Sequence, residues 1–287
     1  MAEILKGAPV VEALVERNRI EVESLKSKGI NPTLAILRVG ERPDDLAYER
    51  SALKRAEKVG VEVRVFTLEE GVNQETFNSK LMELNENPEI HGILMFRPLP
   101  KPLDNELARE LLKPEKDIDG CTDGSLAGVF VNRELGYPPC TAEAAMELLR
   151  FYDIPIKGKK VAVIGRSLVI GRPVAMMLMH ENATVVNCHT GTVDIPSITK
   201  EADIIIAAAG SIGMVNEKYV NSNQVIIDVG INWDEKKNGI AGDVDFERVE
   251  PIVKAITPVP GGVGTVTASV LISHVVTAAK RYFEKRV

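Results

Sequence analysis

The sequence predicts an α/β protein of two α/β domains, the second a Rossmann-like, doubly wound parallel sheet. Short apolar runs alternate with helix-period segments along most of the 287 residues, which implies parallel strands joined by crossover helices. Four runs rich in Val and Ile, at 160–164, 183–187, 203–207 and 224–228, recur at intervals of roughly twenty residues. The first of them leads into a loop carrying Gly165, Gly171 and Pro173.

Each element has a local cause. Residues 9–28 set Val10, Val11, Leu14, Val15, Ile20, Val22 and Leu25 among charges and stop at Gly29, which predicts a helix. Residues 33–39 form an apolar run between Pro32 and Gly40, a buried strand. A polar helix over 44–59 is closed by Gly60, and 61–66 alternates as a second strand. A helix over 74–85 precedes the strand-like 92–96, which exits into Arg97-Pro-Leu-Pro-Lys-Pro102, a stiff loop because each proline fixes φ. A helix over 141–152 opens the second set, and 267–285 has helical periodicity in Val270, Leu271, His274, Val275 and Ala278. The domains are therefore 1–140 and 141–266, with a C-terminal helix over 267–287 returning to the first.

Composition removes several function classes. The chain has 35 basic and 41 acidic side chains, a net charge of −6, and no long Lys/Arg block, so nucleic acid is not an expected partner. An N-terminus carrying Glu3 and a longest apolar run of 204–209 predict neither a secretory signal nor a membrane span. Three widely spaced cysteines suit neither a disulfide framework nor a metal pair, and four scattered histidines predict no metal site. The expectation is a cytoplasmic protein.

The glycine loop suits a nucleotide. Gly165 allows a tight turn, Gly171 a close approach, and Pro173 a helix start whose free N–H groups face a pyrophosphate. Spacing alone leaves a plain strand-to-helix turn equally open. The next strand ends in Asn187-Cys-His-Thr190, with no carboxylate for a ribose 2′-hydroxyl. Arg166 and Thr190 suit a 2′-phosphate instead, which favours NADP and leaves NAD open.

Five stretches then occur in one order: Lys116-Asp-Ile-Asp-Gly120, Pro139-Cys-Thr141, Gly165-Arg-Ser167 with Gly171 and Pro173, Asp228-Val-Gly-Ile-Asn232, and Thr257-Pro-Val-Pro-Gly-Gly-Val-Gly264. Together they resemble the tetrahydrofolate dehydrogenase/cyclohydrolase family, from about Ala35 to the C-terminus. The resemblance implies a folate cleft between a folate-binding catalytic domain and an NADP-binding domain, and commonly a homodimer. It implies Tyr48 and Asp119 as catalytic residues, and a substrate site of Tyr48, Ser51, Ala52, Phe96, Asp119, Pro260, Gly261, Gly262, Val263 and Gly264. Cofactor contacts are implied at Thr141, Gly165, Arg166, Ser167, Gly171, His189, Thr190, Ile231 and Thr267. Asp119 suits its role because a carboxylate accepts from a pterin's amino group and ring N–H, although a turn Asp before Gly120 fits the spacing too.

The chain departs from the family where water is handled. The family's Tyr-x-x-x-Lys helix motif keeps Tyr48 but has Ala52 in the Lys position, and Phe96 replaces the Gln of its Pro-rich loop. Lys54, six residues past Tyr48, lies about 240° round a helix and is expected to point away. Arg55 returns to the Tyr48 face one turn too far along, and Arg97 could reach the folate's glutamate tail. Smaller departures are Ala142 and Thr265 in place of prolines, and Gly191 where a basic residue is common. The expected activity is NADP-dependent oxidation of 5,10-methylenetetrahydrofolate with weak or absent cyclohydrolase. A bifunctional enzyme and a silent folate-binding protein are the alternatives.

Overall fold

The computed structural model describes residues 1–235 and 238–284, which form two compact units. One comprises Glu12–Cys140 with Ala268–Val287, the other Met1–Val11 with Thr141–Thr267.

The chain begins with β1 (Glu3–Ile4), α1 (Gly7–Ser27), β2 (Thr33–Val39), α2 (Pro43–Val59), β3 (Glu62–Leu68), α3 (Gln74–Glu86), β4 (Gly92–Met95), α4 (Asn105–Leu111), a 3-10 turn at Pro114–Lys116, and α5 (Asp123–Val131). In the Glu12–Cys140 unit, three parallel strands lie in the order β3-β2-β4. The central strand is buried at every residue, and all of β2 but Thr33 and Arg38 is apolar. A proline at the start of α2 supplies a preset φ, and Gly60 ends it in the left-handed region, donating to the carbonyls of Ala56 and Glu57. Asn73 and Thr122 cap α3 and α5 by accepting from the backbone N–H three residues on. The core packs Ala35, Leu37, Phe77, Leu81, Ile93 and Met95. An isolated parallel bridge between Ile93 and Asp117 carries the chain past the 3-10 turn alongside β4.

The chain continues with α6 (Cys140–Phe151), β5 (Lys160–Ile164), α7 (Gly171–His180), β6 (Thr184–Cys188), α8 (Ile195–Lys200), β7 (Ile204–Ala207), β8 (Val225–Asp228), β9 (Asn232–Asp234), β10 (Gly239–Ala241), α9 (Phe246–Val249), β11 (Ala255–Ile256) and α10 (Val263–Glu284). In the Thr141–Thr267 unit, six parallel strands lie in the order β1-β11-β8-β7-β5-β6. Because β6 and β7 flank β5 on opposite sides, the winding reverses at β5, and the crevice at its C-terminal end is where such sheets bind ligands. The Gly165 loop leaves β5 at that point.

Three expectations need correction. Residues 1–11, expected in the first domain, cluster with Thr141–Thr267, because β1 pairs with β11 through Glu3↔Ala255 and Ile4↔Ile256. The last helix begins at Val263 rather than 267, and 285–287 lie outside the described residues. The α10 helix is also long and apolar enough to cross a membrane by composition, although 72% of its apolar window is buried within the protein.

Candidate functional site

In the Glu12–Cys140 unit, α2 carries Tyr48, half-buried, with Ala52 one turn on at 0% exposure. Ser51 and Lys54 are exposed, as the helical phase requires of Lys54, and Arg55 is half-buried. At the end of β4, the Phe96 N–H donates to the Leu37 carbonyl at 3.4 Å, which holds its side chain at the sheet edge. There its ring meets Tyr48 edge-on, with centroids 6.1 Å apart at 84°.

The Asp-Ile-Asp-Gly stretch separates its two carboxylates by environment. Asp117 is fully buried and accepts from the Cys121 N–H at 3.0 Å, the Thr122 N–H at 2.7 Å and the Ser125 hydroxyl at 2.7 Å. It holds the turn. Burial, and secondly the neighbouring Asp117 charge, push the Asp119 carboxyl up to about 6 against an ordinary 3.8. The Arg97 charge and a hydrogen bond from Cys140 pull it partly back. Gly120 follows at φ 70°, where an added Cβ would lie 2.5 Å from the Pro138 and Pro139 backbone, so only glycine makes this turn.

The backbone just before Asp119 is pinned. The Cys140 thiol donates to the Ile118 carbonyl at 3.3 Å, and His274 Nδ1 lies 2.8 Å from the same oxygen. The Tyr48 phenol is pushed well above its ordinary value by burial, then by Asp119 and Cys140. Tyr48, Phe96, Arg97, Asp119 and Cys140 therefore make one electrostatic cluster. Sequence reasoning missed Cys140 as a member, although it stands inside the Pro-Cys-Thr motif, and aimed Arg97 elsewhere. Arg97 Nε is buried with no hydrogen-bond partner among the described residues, and its charge acts on Asp119.

In the Thr141–Thr267 unit, Gly165 has φ 129°, and an added Cβ would sit 2.1 Å from the Ala208 carbonyl oxygen. A Cβ on Gly171 would meet the Gly165 oxygen at 2.2 Å, so both glycines let β5 turn directly onto α7. Ser167 Oγ accepts from the Ile170 N–H at 3.1 Å, and Asn187 Nδ2 donates to the Gly165 carbonyl at 2.6 Å. These bonds hold the loop that presents the α7 N-terminus, and they fit a pyrophosphate. Arg166 and Thr190 are exposed beside it on the β5 and β6 exits. His189 Nδ1 accepts from the Gly191 N–H at 3.1 Å, tying the imidazole into its own turn.

Ile231 lines a cavity of about 210 Å³ with Pro260, Gly261, Gly262 and Gly264. Val263 does not line it, being buried at the start of α10. Thr267 donates to the Gly264 carbonyl at 3.1 Å, and Thr141 is half-buried on α6. Sequence reasoning also missed Asp243, whose carboxylate accepts from the N–H groups of Ala209, Gly210 and Ser211 and orders the exit of β7. Among the described residues no group of side chains could hold a metal ion.

Residues 5–119 match the family model of the tetrahydrofolate dehydrogenase/cyclohydrolase catalytic domain, and 139–283 that of its NAD(P)-binding domain. The bifunctional protein FolD of Carboxydothermus hydrogenoformans is 50% identical over 281 residues, with 98% of each chain covered. The crystal structure of FolD from Campylobacter jejuni, a methylenetetrahydrofolate dehydrogenase/cyclohydrolase, is 37% identical with a TM-score of 0.93, covering 98% of this chain and 99% of that one. The Trypanosoma brucei enzyme, solved with NADP cofactor and an inhibitor, is 35% identical with a TM-score of 0.90, covering 100% of this chain and 99% of that one. Matched along nearly its whole length, by both domain models and by full-length relatives, this chain belongs to the tetrahydrofolate dehydrogenase/cyclohydrolase family.

Proposed function

We propose that the protein oxidises 5,10-methylenetetrahydrofolate to 5,10-methenyltetrahydrofolate, with NADP as hydride acceptor, and hydrolyses the methenyl product weakly or not at all. One observation carries the second half. Beside Tyr48, where the family has Lys and Gln, this chain has fully buried Ala52 and the ring of Phe96. Hydrolysing the methenyl cation requires water to be activated and a ring nitrogen protonated, and a positioned ionisable group typically contributes about 10²- to 10⁴-fold to such transfers. Hydride transfer takes no proton from the substrate, so orientation supplies most of what the protein must provide.

In this reading Asp119 accepts from the pterin and Tyr48 packs against it. The Gly165–Ser167 turn, Gly171, Thr190, Ile231 and Thr267 bind the nucleotide. A 2′-phosphate is favoured by Arg166 and by the absence of a carboxylate in 187–190. Three buried cysteines, none of them in a disulfide, suit a reducing compartment, which supports the cytoplasm. The exposed Trp233 and Ile240 of the β9–β10 hairpin support a homodimer.

A second reading, the bifunctional enzyme, is favoured by the relatives, which are named bifunctional, and by the Campylobacter jejuni and Trypanosoma brucei structures, which are described as dehydrogenase/cyclohydrolases; likeness alone fits it better than a monofunctional dehydrogenase. Two assays on one purified sample separate these readings. Reduction of NADP with methylenetetrahydrofolate is expected, and no enzyme-dependent decay of methenyltetrahydrofolate absorbance. Fast decay establishes the bifunctional enzyme, whereas ligand binding without reduction would leave a silent folate-binding protein.

A further inference from the structure

The geometry points to Arg97 as a specificity-determining residue of the pterin pocket, one that donates to the 4-oxo group while Asp119 accepts from the neighbouring ring N–H and 2-amino group. The inference rests on the folate reading above and goes beyond it, since the family pattern has no arginine at this place.

Three observations carry it. The parallel Ile93↔Asp117 bridge lays the backbone at Asp117 beside β4, so Asp119, two residues on from Asp117, and Arg97, two residues on from the end of β4, follow neighbouring backbone segments. Phe96, between β4 and Arg97, is fixed against Tyr48, which limits where the next side chain can go. Arg97 Nε is buried and has no acceptor among the described residues, an arrangement that costs free energy unless a ligand completes it. The charge of Arg97 also acts on Asp119 and Cys121, which lie on the same turn.

The chemistry of a 2-amino-4-oxopteridine matches this pair. Its edge presents two donors, the 2-amino group and N3–H, followed by one acceptor, the 4-oxo oxygen. A carboxylate supplies acceptors only and a guanidinium donors only, so Asp119 and Arg97 read that edge in a single orientation. The charge of Arg97 also favours the ionised form of Asp119, the form that accepts from both donors.

The test measures binding of tetrahydrofolate and of 4-amino-4-deoxytetrahydrofolate, two ligands that differ at the edge in question, to the full chain and to Arg97→Leu and Arg97→Gln. Tetrahydrofolate affinity should fall roughly 10- to 100-fold in Arg97→Leu, with a much smaller change for the 4-amino ligand. Arg97→Gln, which keeps a donor, should recover part of the lost preference. The acid limb of tetrahydrofolate binding should also move to higher pH in Arg97→Leu, because Asp119 loses a favourable neighbour. Unchanged NADP binding reports that the variants are folded. Equal losses for both ligands, or none, would overturn the role of Arg97 and leave the folate reading standing. A wild-type protein that binds neither ligand would overturn both.

Discussion

The ring of Phe96 meets the ring of Tyr48 edge-on, at a centroid distance of 6.1 Å and an interplanar angle of 84°. An aromatic side chain there excludes water and cannot transfer a proton. Restoring the pair with Ala52→Lys and Phe96→Gln should raise methenyltetrahydrofolate hydrolysis by about tenfold or more. Because Ala52 has 0% exposure, the lysine should also cost on the order of 1 to 3 kcal/mol, read as a lower Tm. Unchanged hydrolysis in a folded double variant would mean that other groups are missing.

Asp119 makes a pH prediction of definite sign. Its carboxyl titrates near 6 in the folded protein against an ordinary 3.8, so the folded state binds the proton more tightly between those values. Its contribution to stability therefore falls as pH rises from about 4 to about 6. Asp119→Asn should raise Tm at pH 7.5 while reducing folate affinity at least about tenfold. Asp228 also titrates near 6 and shapes the wild-type curve, so the difference between wild type and variant is the quantity to follow. A variant whose Tm drops at neutral pH would contradict this account.

Gly165 should tolerate no side chain. Its φ of 129° and the 2.1 Å approach to the Ala208 oxygen mean that Gly165→Ala must displace backbone. A loss of about 1 to 3 kcal/mol in stability is expected, together with nucleotide affinity. Urea unfolding and NADP titration would measure the two effects.

Cofactor choice should depend on Arg166. The enzyme is expected to show a higher kcat/KM with NADP than with NAD, and Arg166→Ala to narrow that ratio by roughly 10- to 100-fold. The same variant should leave kcat/KM with NAD nearly unaltered, since NAD lacks the 2′-phosphate.

Local pattern was enough for elements whose cause lies within a few residues. The buried strands β2, β5, β7 and β8 are read from short apolar runs, and the end of α2 from Gly60. Gly165, Gly171 and Gly120 are visible as glycines at turns. Two-residue strands such as β1 and β11 carry no periodicity, and their pairing joins residues some 250 positions apart, so only folding brings them into one sheet. Asp117 and Asp119, two positions apart, are likewise indistinguishable until three donors close around Asp117 and leave Asp119 half-buried with a raised carboxyl. The side-chain environment of Arg97 belongs to the same class. Burial and charge sum over neighbours distant along the chain, and no window of sequence contains them.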